Sequence, residues 1–255
     1  MGEVKALYRY PVKGLSAEPT GSLELRAGEG VPFDREFALA LASTTFDEAA
    51  PEPLAKTYFL MLMRNEELAA LATKVDAVTG MLVIRKDGQT LLEASVNEPA
   101  GRAAIADFFA AYLGIDKPRL VRAAGHKFTD VSVVSPTMMR AVSVINLASV
   151  RALEQALGRT LDPLRFRANI YFDGLPAWSE LAWAQKEVSI GPVRMRGTLR
   201  TRRCAATNVN PATALRDENL PAALVRNFGH PDMGIYLEVL TDGPVALSDH
   251  VQALG

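Results

Sequence analysis

The segment of the sequence whose residue types are best suited to chemistry surrounds the only cysteine, Cys204. Three arginines, Arg200, Arg202 and Arg203, stand within the four residues before it. Neighbouring cations lower the pKa of a thiol, and a thiolate is both a nucleophile and a ligand for soft metals. A lone cysteine is otherwise commonly a small buried apolar residue. The arginines favour the thiolate interpretation, because guanidinium groups are costly to bury without anionic partners.

A second cluster combines cations with proline and glycine near the N-terminus. Lys13 follows a predicted strand that ends at Pro11, Gly14 comes directly after it, and Arg35 lies further along the chain. An ammonium group, local N–H groups and a bidentate guanidinium together suit an anion such as phosphate. Because lysine and arginine side chains usually lie on solvated faces, this cluster taken alone fits an ordinary surface as well.

A third cluster opens an apolar segment in the second half of the chain. Arg167 stands two residues before Asn169, which begins the run Asn-Ile-Tyr-Phe. Together they offer the five N–H donors of a guanidinium and one side-chain amide. These groups could line the site of a polar ligand. The entry of an ordinary loop into a strand explains the segment equally well.

The overall composition excludes several classes of protein. The 255 residues include 28 lysines and arginines against 29 aspartates and glutamates, a net charge of −1, which disfavours a sequence-independent nucleic-acid binder. One thiol is too few for an internal disulfide, an all-cysteine zinc site or a cysteine-ligated iron–sulfur cluster. The longest nearly apolar run, residues 103–114, contains Asp107 and is far shorter than the roughly 20 residues that span a bilayer. We therefore expect a cytoplasmic protein with no membrane and no nucleic-acid partner.

Common catalytic signatures are missing from the sequence. It has no phosphate-binding P-loop, no Gly-x-Gly-x-x-Gly dinucleotide motif and no Gly-x-Ser-x-Gly elbow. The three histidines, His126, His230 and His250, have no partners at metal-ligand spacing. Each histidine is therefore predicted to be structural or to lie on the surface.

The elements that must position these clusters are mainly strands. Alternating apolar residues predict several short strands in the first half of the chain. Turns at Gly80 and at Asp87 and Gly88 predict two successive hairpins that share a central strand over residues 81–84. Further short strands are predicted in the second half, separated by Gly-Pro turn signals.

Helices are few in the predicted fold. One amphipathic helix is predicted to end at Gly114. A second begins after an N-cap at Asn146 and ends at Gly158, and a third runs from an N-cap at Asn219 to Gly229.

These elements predict a mostly β fold of the α+β class, made of two β-barrel-like domains with a few peripheral helices. We place the first domain at residues 1–122 and the second at residues 123–255. The acidic, proline-containing residues 43–57 are predicted to form a loop. This loop is either a lid over a site or a plain solvated connection.

Taken in their order along the chain, the three clusters resemble the MOSC family, the molybdenum-cofactor sulfurase C-terminal domain, preceded by the family's N-terminal β-barrel domain. The resemblance covers nearly the whole chain and rests on the motifs Tyr-Pro-Val-Lys at residues 10–13, Phe-Arg-Ala-Asn at 166–169 and Arg-Cys-Ala-Ala-Thr-Asn-Val-Asn-Pro at 203–211. Gly14, Ala168 and Asn210 depart from the family pattern, in which serine, proline and aspartate are usual.

This resemblance implies a molybdenum cofactor of the molybdopterin type, bound between the two domains. Cys204 would be the protein thiolate on molybdenum and thus the catalytic residue, while Lys13 and Arg35 would hold the cofactor phosphate. The remaining residues implied to bind the cofactor are Arg167, Asn169, Arg203 and Thr207. Pyridoxal phosphate is not expected, because the desulfurase region that uses it in the family's namesake enzyme has no counterpart in this sequence.

The function implied by the resemblance is an oxidoreductase that reduces small N-hydroxylated compounds. Its electrons would come from a separate iron–sulfur, flavin or haem protein, because one cysteine cannot hold a cysteine-ligated iron–sulfur cluster and the glycine fingerprint of a nicotinamide-binding domain is missing. The alternative is a non-redox carrier of the cofactor, or of its sulfur as a persulfide on Cys204. A third interpretation is a structural domain with an empty site.

Overall fold

The computed structural model describes residues 1–254, and most of their regular structure is β. The strands are β1 (Gly2–Arg9), β2 (Glu18–Thr20), β3 (Ser22–Leu25), β4 (Ala38–Ala40), β5 (Ala72–Val75), β6 (Met81–Lys86), β7 (Gln89–Ser95), β8 (Arg119–Val121), β9 (Val142–Asn146), β10 (Ile170–Asp173), β11 (Glu187–Ile190), β12 (Val193–Arg202), β13 (Asp232–Val239), β14 (Gly243–Ala246) and β15 (His250–Ala253). The α-helices are α1 (Pro99–Leu113), α2 (Pro136–Met139), α3 (Leu147–Leu157) and α4 (Leu220–Phe228). None of the helices in residues 1–254 has the length and apolar character needed to cross a membrane.

Seven strands close into a barrel. Their order is β1-β10-β9-β13-β12-β11-β15, with β15 pairing back onto β1. The pair β9 and β10 is parallel, and the chain crosses between these two strands through α3. The other six pairings are antiparallel. The barrel interior is a continuous core of buried valine, leucine, isoleucine and phenylalanine side chains with Met195 and Trp183.

The strands of the first half form smaller sheets around a core of their own. Two hairpins join β5, β6 and β7 with β6 in the centre, and α1 packs against β7 and β8. Their buried residues include Leu82, Ile84, Ile105 and Phe109. The short strands β4 and β8 pair with each other, and β3 pairs with β14.

The structure confirms the predicted mostly β class with few helices. The local helix signals also hold: the Asn146 side chain accepts a hydrogen bond from the Ala148 N–H (3.0 Å), and Gly158 ends α3 in the left-handed region. Asn219 caps α4 in the same way, and Gly229 ends it. These signals succeed because capping depends on neighbouring residues alone.

The first strand belongs to the barrel although it comes from the beginning of the chain. β1 pairs with β10 on one side and with β15 on the other, and therefore closes the barrel. β14 from the C-terminal part pairs with β3 near the N-terminus. Strand pairing thus crosses residue 122, and the division into domains 1–122 and 123–255 remains a prediction.

Candidate functional site

A cavity of about 340 Å³ lies where the two halves of the chain meet. Its walls contain every residue that the sequence predicted for a site: Lys13, Arg35, Arg167, Asn169, Arg203, Cys204 and Thr207. The fold therefore brings together side chains that are nearly two hundred positions apart in the sequence.

Cys204 stands at a defined end of the barrel. It lies two residues after the end of β12 and is the N-cap of a short 3₁₀ helix, Ala205–Asn208. The hydroxyl and the N–H of Thr207 both donate to the carbonyl oxygen of Cys204, at 2.9 and 3.0 Å. These bonds fix the backbone of Cys204, while its half-buried thiol lies in the cavity wall. Thr207 thus positions the cysteine.

The cavity is strongly electropositive. Among the residues that the structure describes, its charged lining consists of eight cations, Lys13, Lys56, Arg35, Arg165, Arg167, Arg200, Arg202 and Arg203, and one carboxylate, Asp130. The whole chain carries a net charge of only −1, so the cations are concentrated at this place. Low-dielectric walls focus such a field, and the cavity therefore favours an anionic ligand.

Asp130 joins two of these cations. The Lys13 ammonium, 5% exposed, donates to the Asp130 carboxylate and to the carbonyl oxygen of Phe128 (3.1 Å). Lys56 lies 3.5 Å from the other carboxylate oxygen. Burial disfavours the ionised form of Asp130, but Lys13 and Lys56 outweigh burial and hold the pKa of Asp130 well below its usual range. Burial in turn lowers the pKa of Lys13, in part against the attraction of Asp130.

Lys56 also lies beside the thiol. Burial opposes its charge, but Asp130 and the Cys204 side chain together raise the pKa of Lys56 above the ordinary value. Sequence reasoning missed Lys56 and Asp130. Lys56 is the only cation in residues 43–57, which was the one signal that could have singled it out. The interpretation of residues 43–57 as a lid remains a prediction.

Arg35 is held by the protein on both branches of its guanidinium. One nitrogen donates to Asp34 (2.5 Å) and the other to the carbonyl oxygen of Arg167 (3.0 Å). Burial opposes its charge, but Asp34 raises the pKa of Arg35 above its ordinary value. Asp34 also accepts bonds from the Tyr10 N–H (2.8 Å) and the Asn169 amide (3.0 Å). Asp34 therefore organises the wall behind Arg35.

Two predicted ligand residues use their polar groups within the protein. The Asn169 amide, 1% exposed, donates to Tyr8 and Asp34 and accepts from the Ser143 N–H. The Arg203 guanidinium donates to the carbonyl oxygens of Phe166 (2.7 Å) and Met233 (2.9 Å). Both side chains thus act first as supports of the cavity wall.

Two other arginines keep free donors. The guanidinium groups of Arg167 and Arg202 make no hydrogen bond to any residue in 1–254, although both line the cavity. Burial lowers the pKa of Arg167, which means that its charge is only partly compensated inside the protein. Arg167 and Arg202 are the cations most available to an incoming anion.

Two buried polar atoms in the cavity wall have no hydrogen-bond partner among the described residues. They are the Thr201 hydroxyl and the Arg165 Nε, and a third such atom, the Ser179 hydroxyl, lies outside this cavity. Both wall atoms are enclosed by the surrounding protein, so a ligand in the cavity does not contact them directly. The fit to a ligand rests instead on the thiol and the eight cations of the lining. These groups fit a phosphate-bearing cofactor that also accepts a thiolate ligand.

Gly14 differs from the serine of the family pattern for a conformational reason. It adopts a φ of +81°, and a Cβ atom there would lie 3.0 Å from the carbonyl oxygen of Leu60. A serine in this backbone would be strained. The chain thus gains a tight turn after Lys13 and lacks a hydroxyl at that point of the wall.

The histidines lie elsewhere. None of the three lines the cavity. His126 packs against Phe46 and Phe128, and burial lowers its pKa. Within residues 1–254 no group of three histidine, cysteine, aspartate or glutamate side chains could hold a metal ion.

Comparison with known proteins gives the chain its relatives. The family model described as the MOSC domain matches residues 125–252, and the MOSC N-terminal beta barrel domain matches residues 1–116. Mitochondrial amidoxime-reducing component 1 of Mus musculus is 27% identical over 124 residues, 44% of this chain and 36% of the relative. Molybdenum cofactor sulfurase of Drosophila ananassae is 32% identical over 138 residues, 52% of this chain and 17% of the relative.

The matches thus span about a third and a sixth of these two relatives. Among solved structures, the YuaD protein from Bacillus subtilis superposes with a TM-score of 0.49 at 14% identity, over 99% of this chain and 96% of the other. The two family models together cover nearly all of the sequence in the expected order. This chain belongs to the MOSC family.

Proposed function

We propose that the chain binds a molybdenum cofactor of the molybdopterin type in the Cys204 cavity and reduces small N-hydroxylated compounds. The observation that carries the proposal is a cysteine in the wall of a cavity whose charged lining is eight cations and one carboxylate. An anionic cofactor with a soft metal accounts for both the cysteine and the cations, because a thiolate binds soft metals and cations bind anionic groups. The similarity to a relative named for amidoxime reduction supports the reaction, and the similarity to a relative named for the molybdenum cofactor supports the cofactor.

In this proposal Cys204 is the metal ligand and Thr207 holds its backbone in place. Arg167 and Arg202 offer free donors to the anionic parts of the cofactor. Lys13 and Arg35 contribute charge from the first half of the chain, but each already holds a carboxylate, Asp130 or Asp34. Lys13 and Arg35 would therefore divide their hydrogen-bond donors between these carboxylates and the cofactor phosphate.

When bound, the molybdenum group would supply a two-electron redox centre in the Cys204 cavity. The net reaction consumes two electrons and two protons and converts an N–OH group into N–H and water. The chain's own part is to hold the substrate and to balance charge. Lys56 lines the cavity together with Cys204 and contacts Asp130, and its positive charge would stabilise a departing oxygen bound there.

The electrons belong to a separate donor protein in this proposal. The single cysteine is proposed as the metal ligand, which leaves no thiol for a cysteine-ligated iron–sulfur relay. An iron–sulfur, flavin or haem protein would dock at the cavity mouth. A reducing compartment such as the cytoplasm is part of the proposal, because Cys204 must remain a free thiol until it binds metal.

The second candidate is a carrier that binds the cofactor, or its sulfur as a persulfide on Cys204, without turnover. The similarity to molybdenum cofactor sulfurase favours it. The same cavity would serve, because a carrier also needs the cysteine and the anion-binding wall.

One experiment separates these functions. The full chain is purified from a host with intact cofactor synthesis and, as a control, from a host that cannot make the cofactor. Molybdenum and pterin are measured per chain, and reduction of a hydroxylamino-purine is followed with and without a donor protein. Turnover only with the donor supports the reductase, and sulfur transfer without turnover supports the carrier. Neither metal nor pterin in the first preparation would contradict the reductase and the cofactor carrier, and would leave only the persulfide carrier.

A further inference from the structure

A second cavity, of about 360 Å³, lies beside the Cys204 cavity. The two cavities share the wall residues Gly14, Leu62, Arg165, Arg167 and Ala206. Cys204 lines only the first cavity. The volume is within the range of small-molecule sites, which begins at about 300 Å³.

Most of the residues that line the second cavity are apolar. Leucine and alanine side chains from residues 68–72 and Val209, Pro211 and Ala212 from the second half of the chain contribute to its walls. Among its described lining residues, only Arg165 and Arg167 carry a charge. An occupant with an apolar body and one charged end therefore fits this lining.

The polar side chains on the apolar side are already used. The Ser16 hydroxyl donates to the carbonyl oxygen of Leu71 (2.5 Å) and accepts from the Thr73 N–H (3.0 Å). The Thr73 hydroxyl accepts from the Ser16 N–H (3.2 Å). Because the Ser16 and Thr73 hydroxyls bond within the protein, they contribute little to binding a polar ligand. The charged end of a ligand would therefore be bound on the arginine side of the cavity.

The arginine side of the cavity has one cation with free donors. Arg165 is 5% exposed, and its terminal nitrogens bond to Asp217 (2.7 Å) and to the carbonyl oxygen of Asn208 (3.2 Å). Its Nε is enclosed by the surrounding protein, so Arg165 has no accessible donor for a ligand. The neighbouring Arg167 guanidinium has no hydrogen-bond partner within residues 1–254. A carboxylate matches the donors of a free guanidinium in charge and geometry.

We propose that this second cavity binds a small apolar carboxylate, with its carboxylate group against Arg167 and its hydrocarbon body among residues 68–72 and 209–212. The site does not depend on the metal chemistry proposed for Cys204. Because Arg167 lines both cavities, the carboxylate and an anion at the Cys204 site would share one cation and weaken each other's binding.

The probe is octanoate, compared with octanamide, which has the same body without the charge, and with butanoate, which has the charge with a short body. Binding to the full chain is measured by titration calorimetry at fixed low salt. Octanoate is expected to bind at least about tenfold more tightly than either comparison ligand, since charge and burial each contribute. Equal binding of octanoate and octanamide would overturn the proposal.

Variants locate the ligand. Ala70→Leu and Ala212→Leu each add bulk at the wall of the second cavity alone and should weaken octanoate binding about tenfold without lowering the melting temperature by more than a few degrees. Arg202→Gln lies in the first cavity alone and should leave octanoate binding within about twofold. The reverse pattern, loss with Arg202→Gln and no change with either leucine variant, would place the carboxylate in the Cys204 cavity and refute the assignment.

Discussion

A terminal nitrogen of Arg35 donates a hydrogen bond to the carbonyl oxygen of Arg167, 132 positions away in the sequence (3.0 Å). Both residues have left-handed backbone, with φ of 51° and 53°, and both guanidinium carbons lie 4.5 Å from the centre of the Tyr10 ring. Non-glycine residues in this region cost about 1 kcal/mol or more each and cluster at functional sites. The fold thus maintains two strained, adjacent cations at the cavity, although only Arg35 has a carboxylate partner.

The first prediction concerns Arg167, whose guanidinium has no hydrogen-bond partner and no paired carboxylate within residues 1–254. Arg167→Gln should reduce cofactor content by about tenfold or more, because charge-assisted hydrogen bonds contribute roughly 1.5–3 kcal/mol. The melting temperature of the cofactor-free protein should stay equal or rise, since burial already disfavours this charge. Molybdenum and pterin per chain and a thermal melt measure the two effects. The exposed Arg26→Gln is the control, and normal cofactor content in Arg167→Gln would contradict the assignment.

The second prediction concerns Cys204. Cys204→Ser should abolish molybdenum retention, because sulfur binds a soft metal far better than a hydroxyl does. The backbone bonds from Thr207 to residue 204 do not involve the thiol, so the melting temperature of the cofactor-free variant should match that of the wild type. Metal analysis by mass spectrometry and a thermal melt decide the matter. Wild-type metal content and activity in the variant would exclude Cys204 as the ligand.

Short-range patterns predicted much of the fold. The caps at Asn146 and Gly158 and the hairpin at Asp87 and Gly88 depend on a few adjacent residues, and the structure contains all of them. The closure of the barrel by β1 was beyond such reasoning, because its partners β10 and β15 lie far along the chain and have no local signal.

The candidate site was predicted as a set of residues but not as a network. Ordered motifs identified Cys204 and the cations that line its cavity. No pattern in the sequence shows that Asn169 uses all of its amide hydrogen bonds inside the protein, or that Arg203 is directed to backbone carbonyls. Lys56 and Asp130 were missed because their importance comes from contact with each other and with Lys13.

The third prediction concerns Arg216, which joins the segment after Cys204 to the first half of the chain. Its guanidinium donates to the carbonyl oxygens of Leu62 (3.1 Å) and Met63 (3.0 Å) and to Glu66 (2.7 Å). Arg216→Ala should lower the free energy of unfolding by about 1 kcal/mol, a value reduced for partial exposure. It should also speed the loss of bound cofactor, because Leu62 lines the Cys204 cavity.

Urea unfolding and the rate of pterin release during dialysis measure these effects of Arg216→Ala. Arg26→Ala, on an exposed strand end, serves as the matched arginine control and should change neither quantity. If Arg216→Ala releases pterin at the wild-type rate, the contacts of Arg216 with Leu62, Met63 and Glu66 do not help to retain the cofactor.

The last prediction concerns Glu180, which lies in the 3₁₀ helix Ser179–Trp183 and is fully buried. The Ser149 hydroxyl lies 2.8 and 2.9 Å from its two carboxylate oxygens. Burial raises the pKa of Glu180 from 4.5 to about 7, and hydrogen bonds, first of all from Ser149, oppose this shift only in part. The folded protein therefore binds a proton at Glu180 more tightly than the unfolded chain does.

A carboxyl group with a raised pKa in the folded state stabilises the fold below its unfolded pKa, and this contribution is lost as the pH rises through the folded pKa. The shift from 4.5 to about 7 corresponds to roughly 3 kcal/mol, lost between about pH 4.5 and pH 8. Glu180→Gln is neutral throughout, so the stability of the wild type relative to this variant should fall over that interval. Urea unfolding at pH 5, 6, 7 and 8 measures the difference, with the exposed Glu24→Gln as the control. Parallel stability curves for wild type and Glu180→Gln would mean that Glu180 titrates as an ordinary carboxyl group.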